Sequence, residues 1–275
     1  MLLEAEKRAA ARSAIVAVMP KPTLLVQISD LHVGGNEGGL DPTPRLEAVV
    51  EAVRSLPNRP DAALVSGDLT DDGAAAGYRV AREMLARLEM PLHVIPGNHD
   101  DRARLREAFD LPGAGDEPVN YSVEVGELRL VAFDSIVPGQ DPGDFPSEQL
   151  RWLDEALAAE PHAPTLLALH HPPLATGIPE WDAINLLVPQ RQALAEVVAR
   201  HPQLRAIVGG HLHRVAASVL AGCPVLAAPS TYWQVRPDFE KEDKYQLVDT
   251  PGFAIHALRE GELYSQAESV PFVSS

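Results

Sequence analysis

Five short aliphatic runs each deliver a residue of metal-ligating type within a few positions of the C-terminal end. They are Leu24–Ser29 ending at Asp30, Ala62–Ser66 ending at Gly67-Asp68, Leu92–Ile95 ending at Pro96-Gly97-Asn98-His99, Thr165–Leu169 ending at His170, and Arg205–Val208 ending at Gly209-Gly210-His211. Continuous apolar runs of this length, bounded by Gly, Pro or polar residues, read as buried strands leading into loops. Helical spacing recurs between them. Thr43 suits an N-cap with Pro44 at the first helical position, followed by Leu46, Val49, Val50 and Val53. Tyr78–Leu88, Ser147–Ala159 with Ser147 as cap, and Gln190–His201 read the same way. Strand-then-helix alternation is α/β layering. Closely spaced later runs (Val119–Val125, Leu128–Phe133, Val215–Leu220, Pro224–Ala227 and Phe253–Leu258) predict a second, mostly antiparallel sheet packed on the first.

No repeat or Ser/Gly linker marks a boundary, so residues 21–275 read as a single domain and 1–20 as an N-terminal extension, helix-like over Leu2–Ala17. Glu4 and Glu6 lie where a secretory leader should be purely basic, and a cytoplasmic location is the expectation. The one cysteine, Cys223, cannot pair within the chain; it fits a reducing compartment and reads as a small buried hydrophobe. Lys+Arg 23 against Asp+Glu 39 gives a net charge of −16. That charge repels polyanions, so neither polymeric nucleic acid nor a membrane is an expected partner; bound metal would still attract a small anion. The stretch Tyr232–Asp249 lacks periodicity and reads as a long loop, either near the site or a solvated excursion.

Six of the 10 histidines fall in four short motifs. Asp30 and His32 flank Leu31, and on an extended strand end residues i and i+2 point the same way, so both can converge on one ion. His211 and His213 repeat that spacing. With Asp68, Asn98 and His170 they form an oxygen and nitrogen set without sulfur, suited to Mn, Fe, Co, Ni or Zn. Seven side chains exceed the needs of one open ion, and a shared carboxylate, Asp68, is the economical way to hold two. Gly67, Gly97 and Gly210 each precede a ligand, where a missing Cβ lets the backbone approach a bound anion.

In order and type, Asp30-Leu31-His32, Gly67-Asp68, Gly97-Asn98-His99-Asp100, His170-His171-Pro172 and Gly210-His211-Leu212-His213 resemble the five blocks of the calcineurin-like metallophosphoesterases, over about residues 24–214. Ile28-Ser29-Asp30-Leu31-His32, Asp100-Asp101-Arg102, Phe133-Asp134-Ser135 and His170-His171-Pro172-Pro173 look most like the bacterial class III cyclic nucleotide phosphodiesterases. The resemblance implies an α/β four-layer αββα sandwich of two mixed β-sheets flanked by helices. It implies one ion held by Asp30, His32, Asp68 and His213 and a second held by Asp68, Asn98, His170 and His211, with iron and manganese as the leading pair and Zn, Co or Ni as substitutes. His99, beside Asn98, would face the substrate as general acid, with Asp100 orienting it.

The implied activity is hydrolysis of a small-molecule phosphodiester, 3′,5′-cyclic AMP first. The alternative is a glycerophosphodiesterase or a broad phosphomonoesterase and diesterase; a non-catalytic module that binds phosphate esters is the remote one. Such relatives are often dimeric, so a homodimer is an expectation.

Each remaining residue has a plainer reading beside the functional one. His171, next to His170 on a strand, should point to the opposite side and pack. His93 and His256 lie in strand runs as core or edge histidines, and His162 and His201 lie at helix C-termini. Asp134 and Ser135 suit either a turn or the substrate edge, and Arg102 and Arg214 either phosphate or solvent. Trp152 follows core spacing, whereas Trp181 and Trp233 suit either an apolar wall for an organic group or simple loop anchors.

Overall fold

The computed structural model describes residues 20–237, 239, 246–248 and 250–272. The helix-like segment Leu2–Ala17 lies outside the described residues, as do residues 238, 240–245 and 249 of the Tyr232–Asp249 stretch. The first sheet orders its strands β13 (Glu262–Ser269), β12 (Gly252–Arg259), β1 (Thr23–Ile28), β2 (Ala62–Ser66) and β3 (Leu92–Ile95). The second orders β4 (Tyr121–Val125), β5 (Leu128–Ala132), β6 (Thr165–Ala168), β7 (Leu204–Gly209), β9 (Cys223–Ala227) and β8 (Ala216–Leu220). Strands β10 (Gln234–Arg236) and β11 (Gln246–Val248) form a separate antiparallel pair, so part of the expected loop is a small hairpin.

Period-two alternation gives each sheet two apolar faces. Leu25 and Leu64 meet Leu130, Ala132, Leu166 and Val208 across the layer between the sheets. Their neighbours Val26, Ile28 and Val65 face outward onto α1 (Pro42–Arg54), α2 (Ala75–Ala86) and α3 (Arg102–Phe109) through Val49, Leu85 and Leu105. Val131, Leu167 and Ile207 pack outward with Leu153 of α4 (Ser147–Ala159) and Leu194 of α6 (Val188–Val198), beside the short α5 (Pro179–Ile184). The result is the four-layer αββα sandwich of two mixed sheets that the sequence motifs imply. Among the described residues no helix is long and apolar enough to cross a membrane.

The strand runs form, but their partners differ from expectation in two places. The second sheet is not mostly antiparallel, because β5, β6, β7 and β9 run parallel and only the edge strands β4 and β8 reverse. Phe253–Leu258 belongs to the first sheet, antiparallel to β1, and β13 continues it. Aliphatic runs record burial but not partner, which is set by contacts between residues far apart in sequence. Caps also move. Asp41, not Thr43, caps α1, its carboxylate accepting from Thr43 N at 2.9 Å. Pro146 precedes α4, and Ser147 is its first residue without a capping bond.

Candidate active site

The turns after β1, β2, β3, β6 and β7 gather Asp30, His32, Asp68, Asn98, His170, His211 and His213 at one end of the sandwich. The backbone there is not the extended strand end that the i, i+2 spacing suggests. Asp30 (φ 54°), His32 (46°), Asp68 (51°), His211 (65°) and His213 (46°) are all left-handed, a conformation costing a residue with a Cβ on the order of 1–2 kcal/mol. Hydrogen bonds hold the strain in place: Asp30 N to the Gly67 carbonyl at 3.0 Å, His32 N to Asp68 O at 2.9 Å and His211 N to Asp30 Oδ1 at 2.9 Å. Leu31 and Leu212, both fully buried, anchor the two turns between their paired ligands. The glycines make room for the ligands themselves. A Cβ on Gly67 (φ 101°) would strike the His170 ring, and one on Gly97 would strike the Asp68 carboxylate.

Two clusters meet at Asp68. His32 Nε2 and His213 Nε2 lie 3.0 Å apart, Asp68 Oδ2 is 3.5 Å from His32 Nε2, and Asp30 Oδ1 is 3.7 Å from His213 Nε2. The same Asp68 Oδ2 lies 3.3 Å from His170 Nε2; Asn98 Oδ1 lies 3.1 Å from that nitrogen and 3.0 Å from His211 Nδ1. The outer nitrogen of every one of these rings faces an acceptor. His32 Nδ1 meets Asp71 Oδ1 (3.0 Å), His213 Nδ1 the Trp233 carbonyl (3.2 Å), His170 Nδ1 the Ser66 carbonyl (2.8 Å) and His211 Nε2 the Ile184 carbonyl (3.0 Å). An acceptor draws the single proton of a neutral ring outward, so the inward nitrogen of each neutral imidazole presents a lone pair. Neutral rings then set lone pairs against lone pairs and carboxylates, and among the described residues Asp30 Oδ2 is buried without a hydrogen-bond partner. Such a set is repulsive until cations sit among it, so the residues present fit two metal ions. Asp30, His32, Asp68 and His213 form one buried group able to hold an ion.

Protons relieve part of that repulsion at His170, whereas His211 and His213 stay neutral. Burial alone would raise the Asp68 carboxyl, but His170, by charge and hydrogen bond, and His32 hold it well below the usual range. Burial opposes protonation of His170, yet Asp68 pulls that ring up to about 9. His211 and His213 are pushed well down by burial and neighbouring imidazoles. Burial, then His170, drives His171 down to about 3. His171 does not point to the opposite side, since its ring lies 5.0 Å from that of His170 and 4.5 Å from that of His211. The three form a second buried group able to hold an ion, although His171 Nδ1 meets Ser135 Oγ at 2.9 Å and its Nε2 the Asp141 carbonyl at 2.9 Å.

His99 is exposed at the rim, with Nδ1 on the Asp71 carbonyl at 2.8 Å and its backbone N on Asp68 Oδ1 at 2.9 Å. Asp100 does not orient it. Its carboxylate instead takes Gly97 N at 2.9 Å, Leu69 N at 3.2 Å, Thr70 N at 3.3 Å and Tyr78 Oη at 3.0 Å, tying the 67–70 turn to the 97–100 turn. Arg102 is buried against Asp134 in a bidentate pair at 2.7 and 3.1 Å rather than solvated. Arg214 turns to the Val235 carbonyl at 3.2 Å.

A cavity of about 330 Å³ opens over both clusters; Trp181, Ile184, Tyr232 and Trp233 form one wall and Glu37, Asp71 and Asp141 add carboxylates. Trp233 packs 4.0 Å from the His213 ring, centroid to centroid. Asp71 went unrecognised in the sequence although it serves both His32 and His99; the acidic pair Asp71-Asp72 after Asp68 was its only signal. Tyr232, which accepts from Glu37 N at 2.6 Å and donates to the Leu40 carbonyl at 2.8 Å, carried none.

Two acceptor clusters joined through one carboxylate, set on a two-sheet sandwich, define a dinuclear metalloprotein. The profile of the calcineurin-like phosphoesterases matches residues 23–215. The chain is 32% identical over 241 residues to a probable glycerophosphodiester phosphodiesterase (GpdQ) of Arcobacter nitrofigilis, covering 85% of this chain and 88% of the relative. It is 36% identical over 218 residues to the 3′,5′-cyclic adenosine monophosphate phosphodiesterase CpdA of Pseudomonas aeruginosa, covering 78% of each. In fold, a dimetal phosphatase from Danio rerio superposes with a TM-score of 0.61 at 16% identity, over 91% of this chain and 100% of that one. The chain therefore belongs to the calcineurin-like phosphoesterase family.

Proposed function

We propose that the chain hydrolyses small-molecule phosphodiesters with two bound metal ions, and that 3′,5′-cyclic nucleotides are its first substrate class. Asp30, His32, Asp68 and His213 hold one ion and Asp68, Asn98, His170 and His211 the other, with iron or manganese as the proposed metals. The ions, when bound, supply the Lewis-acid charge that acidifies water and neutralises a phosphoryl group. The chain supplies the rest. Because the Asp71 carbonyl can only accept, His99 Nδ1 carries a proton and Nε2 is left to face the substrate, donating to the leaving oxygen when the ring is protonated.

The observation that carries the reading is the lining of the cavity above Asp68. Among the described residues no Lys or Arg lines it, while three carboxylates and an aromatic wall do. A diester with one negative charge suits that field better than a monoester approaching two, and the Trp181, Tyr232 and Trp233 wall offers a flat apolar face to a base. Glycerophosphodiesters are the second reading, favoured by the relative of that name matched over 85% of this chain.

The test is turnover by purified, metal-analysed protein with Mn²⁺ against cyclic AMP, glycerophosphodiesters, bis(p-nitrophenyl) phosphate and p-nitrophenyl phosphate. Cyclic AMP hydrolysis with kcat/KM well above the artificial diester supports the proposal. Faster turnover of glycerophosphodiesters moves the substrate to the second reading, and preference for the monoester refutes the argument from charge.

A further inference from the structure

The mostly aliphatic layer between the two sheets carries a buried polar cluster just beneath the ligand turns. Gln27 on β1, Ser66 on β2 and His256 on β12 share the inward parity of Leu25, Leu64 and Leu258, and all three are buried. His256 Nε2 meets Gln27 Oε1 at 2.9 Å and His256 Nδ1 meets Ser265 Oγ at 2.8 Å. An amide oxygen only accepts, so Nε2 carries the proton and Nδ1 accepts from the serine. Gln27 Nε2 donates its two hydrogens to Ser66 Oγ at 2.8 Å and to the Gly209 carbonyl at 2.9 Å, crossing from the first sheet to the second. Each link in this buried network is matched, which makes it rigid and specific.

Both acceptors adjoin the ligands of one cluster. Ser66 precedes Gly67-Asp68, and its carbonyl takes the Nδ1 proton of His170 at 2.8 Å. Gly209 precedes Gly210-His211, and Gly210 N donates to the His170 carbonyl at 2.9 Å. The cluster of Asp30, His32, Asp68 and His213 draws two of its members from the turn after β1 itself. We infer that Gln27 is a positioning residue: by tying β2 to β7 it fixes Asp68 and His170 against His211, and so sets the affinity for the second ion relative to the first. This rests on the two-ion reading above.

Gln27→Met alone takes the acceptor from the Nε2 proton of His256 and the donor from Ser66 Oγ, and adding His256→Leu removes the first of these losses, while the Gly209 carbonyl keeps Ala228 N as a donor. Metal-free wild type and both variants are titrated with Mn²⁺ by calorimetry, and magnetic coupling between the two ions is followed by electron paramagnetic resonance. Wild type should take two ions and show the coupled spectrum. The double variant should keep a cooperative unfolding transition and its first ion, and lose about tenfold or more in affinity for the second, as altered orienting partners of metal ligands do. Its coupled spectrum should appear only at correspondingly higher Mn²⁺. Should the double variant not fold, Gln27→Met gives the same readout. Unchanged affinity for the second ion, or equal weakening of both, overturns the inference. A wild type that takes only one ion overturns the two-ion reading itself.

Discussion

Replacing Asp100 with Asn asks whether this residue serves the substrate or the turns. Its oxygens accept from Gly97 N at 2.9 Å, Leu69 N at 3.2 Å, Thr70 N at 3.3 Å and Tyr78 Oη at 3.0 Å. Asn keeps one oxygen, and in either orientation its amide nitrogen faces a backbone N–H. The best placement puts that nitrogen beside Tyr78 and forfeits Thr70 N together with part of Leu69 N. One to two charge-assisted bonds at about 1.5–3 kcal/mol each give a loss of about 2–4 kcal/mol. Burial, with Asp68 adding, pushes the Asp100 carboxyl up to about 6, so the folded chain resists its ionisation, its contribution falls as pH rises toward 6, and the lower end of the range applies at and above that pH. For a chain of this length the loss corresponds to about 5–15 °C in melting temperature, at about 2–4 °C per kcal/mol. The assay is urea unfolding of metal-free wild type and variant, with Mn²⁺ titration and kcat/KM on matched alkyl and aryl diesters. The variant should be less stable and bind Mn²⁺ more weakly, with the alkyl-to-aryl rate ratio unchanged. A stability loss below about 1 kcal/mol, or a rate loss confined to alkyl leaving groups, would refute the reasoning and return Asp100 to His99.

Four further outcomes are expected. His99→Ala should retain both ions and lose about 10²–10⁴-fold on a diester with an alkyl leaving group but far less on an aryl one, as removal of a general acid requires; equal losses on both would contradict the role. Asp68→Asn should weaken both Mn²⁺ ions together, because its Oδ2 faces His32 at 3.5 Å and His170 at 3.3 Å; selective loss of one ion would remove the bridge. Asp134→Asn leaves the buried Arg102 guanidinium without its counter-charge and should cost about 3–5 kcal/mol in urea unfolding, with much of that recovered when Arg102→Met is added. His256, held neutral by burial, falls to about 4 from an ordinary 6.5. Below pH 6.5 the unfolded chain gains a proton that the folded chain refuses, so stability is lost as pH falls. His256→Gln should abolish about 2–3 kcal/mol of the wild-type difference between pH 7 and pH 4.5, and an unchanged slope would place that titration elsewhere.

Much of the fold is written locally. The aliphatic runs of β1, β2, β3, β6 and β7 and the helical spacing of α1, α2, α4 and α6 can be read because burial imposes a period on the chain. Boundaries slip where a neighbour decides them: Asp41 rather than Thr43 reaches the free N–H groups of α1. α3 carries no clear apolar period, because half of its eight residues, Arg102–Phe109, are charged and its buried face includes two arginines, Arg102 and Arg106. In the site, the order of Asp30, His32, Asp68, Asn98, His170, His211 and His213 is plain in the sequence, whereas Asp71, Tyr232 and Gln27 are not. Their importance lies in what they touch, and the partners are far apart in sequence.

By itself, the sequence determined which residues can ligate, which runs are buried and how the charge of −16 restricts partners, since these follow from side-chain chemistry and local period. Only the tertiary structure decided that β6 and β7 leave the first sheet for the second, that left-handed turns rather than extended strands aim the ligands, and that Arg102 is buried against Asp134. Strand pairing, turn handedness and buried ion pairs depend on groups brought together from distant parts of the chain. Their free energy appears only when the two sheets close on one another.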